Sequence, residues 1–220
     1  MKPYIRYEDV GKRYGRKQIL KNVNFEVYKG EAVALIGDNG SGKSTLLRMT
    51  AGLSSVTEGR IVTEEHIRFG YIPERFSKSS FTIPALMKHM GRIEGIPLYE
   101  LRSREQELYK AYHLEDMLAV PMKDLSKGTL QKAAVIQALL REPDILLLDE
   151  PLNGQDIHSQ DEFVRQMLGL RERGITILMS CHERQLIKRL ASRVIRLEEK
   201  HCVECTIEEG AGGYGIGDPL

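Results

Sequence analysis

The spacing of apolar residues changes several times along the chain, and each change marks an element. Val23, Phe25 and Val27 alternate with Asn24, Glu26 and Tyr28, the period of a half-buried strand, and Lys29-Gly30 closes it in a turn. Val33 to Ile36 is wholly apolar, as in a strand covered on both faces. A glycine-rich segment follows, then Lys43 to Ala51 with helical composition and Gly52 as its stop. Short strands are expected at Arg60 to Thr63 and Ile67 to Ile72. From Pro84 to Ala119 the pattern is helical, with Gly91, Gly95 and Pro97 as expected breaks. Beyond Gly128 the chain alternates: helix to Leu140, strand Ile145 to Leu148, helix Ile157 to Arg171, strand Ile175 to Met179, helix Glu183 to Leu190, strand Arg193 to Leu197. Such alternation predicts an α/β fold with a mostly parallel sheet covered by helices. The segment from His201 to Leu220 is glycine-rich, lacks an apolar period and receives no element.

A length of 220 residues suits about one domain. The expected organisation is a single domain over 1–200 with a helical insert at approximately 76–140, followed by a tail over 201–220. Lys and Arg number 32 against 31 Asp and Glu, a net charge of +1. No overall field attracts nucleic acid, and no nucleic-acid partner is expected. The longest nearly apolar stretches, Ala133 to Leu140 and Ile145 to Leu148, fall well short of the roughly 20 residues of a membrane helix. The N-terminus interleaves charged with apolar residues and shows no signal-peptide segment, so a cytoplasmic location is expected. The three cysteines are expected as free thiols.

Candidate chemistry begins at Gly37-Asp38-Asn39-Gly40-Ser41-Gly42-Lys43-Ser44-Thr45, which fits G-x-x-x-x-G-K-[ST] between a buried strand and a helix. Backbone N–H groups must converge on phosphate oxygens, which calls for glycines, while the helix points its positive end at the anion. Lys43 supplies a cation for the β/γ-phosphates, and Ser44 a hydroxyl for Mg²⁺. The second metal ligand is expected at a strand end, and Ile145 to Leu148 runs into Asp149-Glu150. Neighbouring residues of an extended chain point in different directions. Asp149 can therefore face the metal while Glu150 faces the attacking water as general base.

With these motifs placed, the remaining ones resemble those of the ATP-binding cassette (ABC) ATPases over roughly residues 4 to 198. Leu125-Ser126-Lys127-Gly128-Thr129 resembles the family signature LSGGQ, which implies that Ser126 and Gly128 meet the γ-phosphate of ATP held by a second subunit. Lys127 and Thr129 depart from that pattern. Tyr14 resembles the aromatic residue that stacks on adenine, and His182 in MSCHE the switch histidine beside the γ-phosphate. Asp156 in EPLNGQD resembles the aspartate that signals across the dimer, with LNGQ in place of the commoner TSAL. Where the family normally has a glutamine near the metal, this chain has Glu74 in Tyr71-Ile72-Pro73-Glu74. The resemblance implies a P-loop NTPase core with an N-terminal antiparallel β subdomain and an inserted α-helical subdomain. It also implies an ATPase that dimerises, as homodimer or heterodimer, around two ATP with Mg²⁺. Its partner is an integral membrane permease on a separate chain, which places the subunit peripherally on the cytoplasmic face of the membrane. The Pro-Glu and LSKG forms look like subunits of drug, peptide or bacteriocin exporters.

Two other readings compete: a soluble ABC ATPase of assembly or scaffold machinery, and a P-loop small-molecule kinase. Two further motifs are weak. Gly210-Ala211-Gly212-Gly213-Tyr214-Gly215 fits G-x-G-x-x-G without a strand before or a helix after, and Cys202 and Cys205 form one C-x-x-C where structural zinc wants four ligands.

Overall fold

A computed structural model describes residues 2–211. Strands β1 (Ile5–Tyr14) and β2 (Lys17–Val27) form an antiparallel pair, and β4 (Glu58–Thr63) lies antiparallel on the other side of β1. The second sheet has the order β5-β6-β7-β3-β8-β9. In it β5 (Phe69–Ile72), β6 (Ile145–Asp149), β7 (Thr176–Ser180), β3 (Ala32–Ile36) and β8 (Arg193–Glu198) are parallel, and β9 (His201–Cys205) is antiparallel to β8. The expected α/β core and antiparallel N-terminal sheet are both present.

Alternation within the buried strands builds two cores. Val33 and Leu35 of β3 point at β1 and β2, joining Ile5, Tyr7, Leu20 and Val23, while Ala32, Ala34 and Ile36 face the opposite, helix-covered side. Tyr7 stacks on Phe25 with ring centroids 4.1 Å apart and bonds Thr50 through its hydroxyl at 2.7 Å. Thr50 ends α1 (Lys43–Thr50), so this contact ties the small sheet to the helix behind the glycine-rich loop. Between β5 and β6 lie α2 (Ile83–Ile93), α3 (Leu98–Ala111), two short 3-10 turns and α4 (Lys127–Leu139). The remaining helices are α5 (Ile157–Glu172), α6 (Arg184–Leu190) and α7 (Ile207–Ala211). Among the described residues no helix is long and apolar enough to cross a membrane.

Two expectations are corrected. Gly91 does not break the helix: it is buried inside α2, where a Cβ would come within 2.5 Å of Leu101 of α3. The glycine serves close helix packing, while Gly95, with φ at 69°, and Pro97 separate α2 from α3. The second correction concerns the unassigned segment, since 201–205 completes the sheet and 207–211 forms α7. Cys202 packs toward the core between the sheets and Cys205 toward the helical core, so the C-x-x-C thiols lie on opposite faces of β9 and cannot converge on one metal. Of the G-x-G-x-x-G stretch, Gly210 lies in α7 against Val194, and its positions from 212 onward fall outside the described residues.

Candidate active site

The strand β3 delivers the chain into a loop whose glycines Gly37, Gly40 and Gly42 have φ of 137°, 82° and 109°. Space also demands glycine: a Cβ at Gly37 would lie 2.3 Å from the Leu197 carbonyl, and one at Gly42 2.7 Å from Leu20. The helix that follows, α1, has no side-chain cap and no acidic residue in its first turn. Its free N–H groups and positive dipole end open onto the loop. Ser41 Oγ is buried there without a partner.

Lys43, only 5% exposed, turns back over the loop. Its ammonium donates to the carbonyls of Gly37 at 2.8 Å and Asp38 at 3.2 Å and meets His182 Nε2 at 3.0 Å. Glu150 Oε1 lies 3.7 Å from the same ammonium and 3.1 Å from His182 Nε2. On the other side, the Ser44 hydroxyl donates to Asp149 Oδ1 at 2.8 Å. The two strand-end carboxylates therefore diverge, Asp149 toward Ser44 and Glu150 toward Lys43 and His182. Glu150 adopts φ of 46°, and its N–H donates to Ser180 Oγ at 2.9 Å.

Burial governs the proton affinities here. It lowers that of Lys43, against the opposing pull of Glu150 and Asp149. It raises Glu150 to about 7, with Lys43 resisting and Glu183, Asp149 and Glu74 adding to the rise. His182 is lowered, first by burial and then by the Lys43 cation. A neutral imidazole and a carboxylate poised near neutrality can hold or accept a proton from water.

An open cleft of about 710 Å³ is lined by Lys43, Ser44, Glu74, Glu150, Asn153 and His182, with Asn39, Gly40, Gly42, Thr45, Lys17 and Ile19 around them. The residues fit a Mg²⁺-nucleotide: a glycine cradle without room for side chains at Gly37 and Gly42, a buried unpartnered hydroxyl on Ser41, and a hydroxyl–carboxylate pair in Ser44 and Asp149 suited to a hard cation.

Of the other sequence-predicted residues, Tyr14, Ser126, Gly128 and Asp156 lie outside this cleft. Tyr14 ends β1 with 52% exposure and carries Lys12 Nζ 4.9 Å from its ring centroid. Ser126 caps α4, accepting from the Thr129 N–H at 3.1 Å. Together with Gly128 it lines a shallow pocket of about 140 Å³ between α4 and α5, separate from the Lys43 cleft. Asp156 caps α5, accepting from Ser159 N–H at 3.0 Å. Glu74 does reach the cleft and accepts from Asn153 Nδ2 at 3.2 Å. Sequence reasoning missed Ser180 and Tyr71. The first donates to Asp149 Oδ1 at 2.7 Å and the second to Oδ2 at 3.1 Å. The available signal for Ser180 was its place directly before Cys181-His182 at the end of an apolar strand.

Strand, glycine cradle, helix and a strand-end Asp-Glu pair together define a P-loop nucleotide hydrolase. A family model described as ABC transporter matches residues 20–153. The zinc import ATP-binding protein ZnuC of Rickettsia bellii is 33% identical over 206 residues, covering 93% of this chain and 86% of that protein. An uncharacterised ABC transporter ATP-binding protein of Methanocaldococcus jannaschii is 33% identical over 204 residues, covering 92% and 77%. A solved ATP-binding subunit of an ABC transporter superposes with a TM-score of 0.83 at 27% identity, covering 94% of this chain and 91% of that one. The chain belongs to the ABC transporter ATP-binding family. It is thus an ATPase subunit that uses ATP with Mg²⁺, of a family whose members dimerise and work with membrane permeases. The exporter type expected from Glu74 and the LSKG form receives no support from these relatives, since the one whose name gives a direction is an importer.

Proposed function

We propose that the chain dimerises around two ATP and drives a permease carried on a separate chain, in the direction of import. In this reading Lys43 and the loop N–H groups bind the phosphates, Ser44 and Asp149 hold Mg²⁺ with Glu74 close by, and Tyr14 offers its ring to adenine. Glu150 accepts the proton of the attacking water, and His182 orients that water. The observation that carries the proposal is the division of groups within one chain. The phosphate, metal and base residues share one cleft, whereas Ser126 and Gly128 line a different pocket. A second copy, turned so that its α4 N-terminus faces the Lys43 cleft, would bring its Ser126 and Gly128 to the phosphates, with Asp156 beside them on α5.

Import is preferred to export because relatives named zinc import ATP-binding proteins align along about nine-tenths of the chain. The cleft's groups serve phosphate and water chemistry, so cargo choice falls to the permease. The test is coexpression with the permease encoded beside this chain, copurification, and reconstitution in vesicles with ATP on the side of the ATPase. Accumulation of cargo on that side supports import. Accumulation on the opposite side restores export, and failure of any membrane protein to copurify favours a soluble assembly role.

A further inference from the structure

Three departures from the family pattern, Lys127, Glu74 and the Asn153-Gly154 pair, are distant in sequence and meet in the fold. Lys127, the first residue of α4, donates from its ammonium to the Asn153 carbonyl. The Asn153 side chain donates onward to Glu74 Oε1 at 3.2 Å. Gly154 makes the approach possible: its φ is 66°, and a Cβ there would lie 2.7 Å from Lys127 Nζ. The Asn153 N–H donates to the Glu150 carbonyl at 3.3 Å, which closes the turn just after the strand-end carboxylate. Asn153 is thus gripped at both ends, its carbonyl by a cation from the segment that opens α4 and its amide by a carboxylate in the cleft.

Arg75 lies 3.7 Å from the same Glu74 oxygen but is 89% exposed, a pair that water screens. The Asn153 amide, a directional donor at 3.2 Å, is the other contact on Glu74 Oε1, and like the Arg75 pair it faces solvent. A glycine at position 127 could not reach Asn153, and a side chain at position 154 would crowd the ammonium and be strained by the positive φ there. The three departures are thus joined by direct contacts in one line.

We propose that Lys127 is a positioning residue: through Asn153 it holds the turn that follows Glu150 and the direction of Glu74, so that the segment opening α4 and the hydrolytic cleft of the same chain shift together. The inference rests on the reading of that cleft as hydrolytic. Its physical content is coupling between positions 127 and 74, which do not touch.

The experiment has two arms. In the nucleotide-free full chain, hydrogen exchange is followed by mass spectrometry over residues 151–156 in wild type, Lys127→Ala, Lys127→Arg and Glu74→Ala. The bridge predicts faster exchange in both alanine variants and wild-type exchange in Lys127→Arg. In the second arm, steady-state ATPase is measured on the same proteins and on the Lys127→Ala/Glu74→Ala double variant. Each single alanine change should lower kcat by roughly three- to tenfold, with little change in KM, as expected for loss of one contact of this type. The double variant should be no more than about twofold slower than the slower single, because both cut the same line. Unchanged exchange over 151–156 in Lys127→Ala, or multiplicative losses in the double variant, overturns the proposal. If wild type hydrolyses no ATP, the functional reading itself fails, and the exchange arm still decides whether the bridge exists.

Discussion

Ser180 offers a measurable handle on the metal ligand. It is fully buried, donates to Asp149 Oδ1 at 2.7 Å and accepts from the Glu150 N–H at 2.9 Å. Ser180→Ala removes both contacts and adds no bulk. The hydrogen bond to the carboxylate is charge-assisted, worth about 1.5–3 kcal/mol. The Glu150 N–H retains the Ser180 main-chain carbonyl at 3.2 Å, so it is not orphaned. Asp149 keeps Ser44 at 2.8 Å and Tyr71 at 3.1 Å, and the fold should survive. A net loss of about 2 kcal/mol corresponds to a fall in Tm of about 4–8 °C for a chain of this size. Because Asp149 Oδ1 then loses one of its two hydroxyl donors and the carboxylate is held less firmly in the orientation that Ser44 and Tyr71 still favour, the Mg²⁺ concentration for half-maximal ATPase activity should rise about 10–100-fold, the usual effect of losing a partner that orients a metal ligand. Thermal denaturation without nucleotide and a Mg²⁺ titration of phosphate release test the two halves. A Tm within about one degree of wild type together with an unchanged Mg²⁺ requirement would refute the reasoning.

Lys43→Ala should abolish ATP binding or hydrolysis, because the loop loses its cation; equilibrium binding of a fluorescent ATP analogue and phosphate release check this, and wild-type values would remove the phosphate site from the account. Ser126→Arg should leave ATP binding to the monomer intact and suppress turnover, since Ser126 lies outside the Lys43 cleft; equal loss of monomer binding would place the segment in the chain's own pocket. Glu150, raised by burial from the ordinary 4.5 to about 7, binds a proton more readily when folded, so its contribution to stability is present below the unfolded value and falls as pH rises through that window. The Tm advantage of nucleotide-free Glu150→Gln over wild type should therefore grow between pH 4.5 and about 7 and then level off, and a pH-independent difference would count against a buried, proton-retaining carboxylate.

The phosphate loop was legible in sequence because its chemistry demands glycines at fixed spacing, and those glycines sit where φ and lack of space exclude side chains. Asp149 and Glu150 were legible because a wholly apolar strand ends on them. Their partners were not. Ser180 lies beside Asp149 in the parallel register of β6 and β7, and Tyr71 reaches it from β5. Register is a property of the sheet, so although the position of Ser180 at the end of an apolar strand is visible in sequence, its pairing with Asp149 is not. The strand at 201–205 escaped for a different reason: as the edge strand it is half-exposed, and its alternation is too weak to mark a period. Gly91 was misread because a glycine that stops a helix and one that lets another helix approach look the same in sequence.

The most direct measurement of the central claim follows Glu150→Gln, which keeps the side chain's size and removes its ability to take a proton from water. Size-exclusion chromatography with Mg²⁺-ATP is run beside a phosphate-release assay. The account predicts hydrolysis slower by roughly 10²–10⁴-fold, the range for a positioned general base. It also predicts retained ATP binding and a stable dimer that elutes only with ATP, while wild type returns to monomer as ATP is consumed. Full activity in the variant would contradict Glu150 as the base, and slow hydrolysis with a monomer at saturating ATP would contradict the shared two-ATP site.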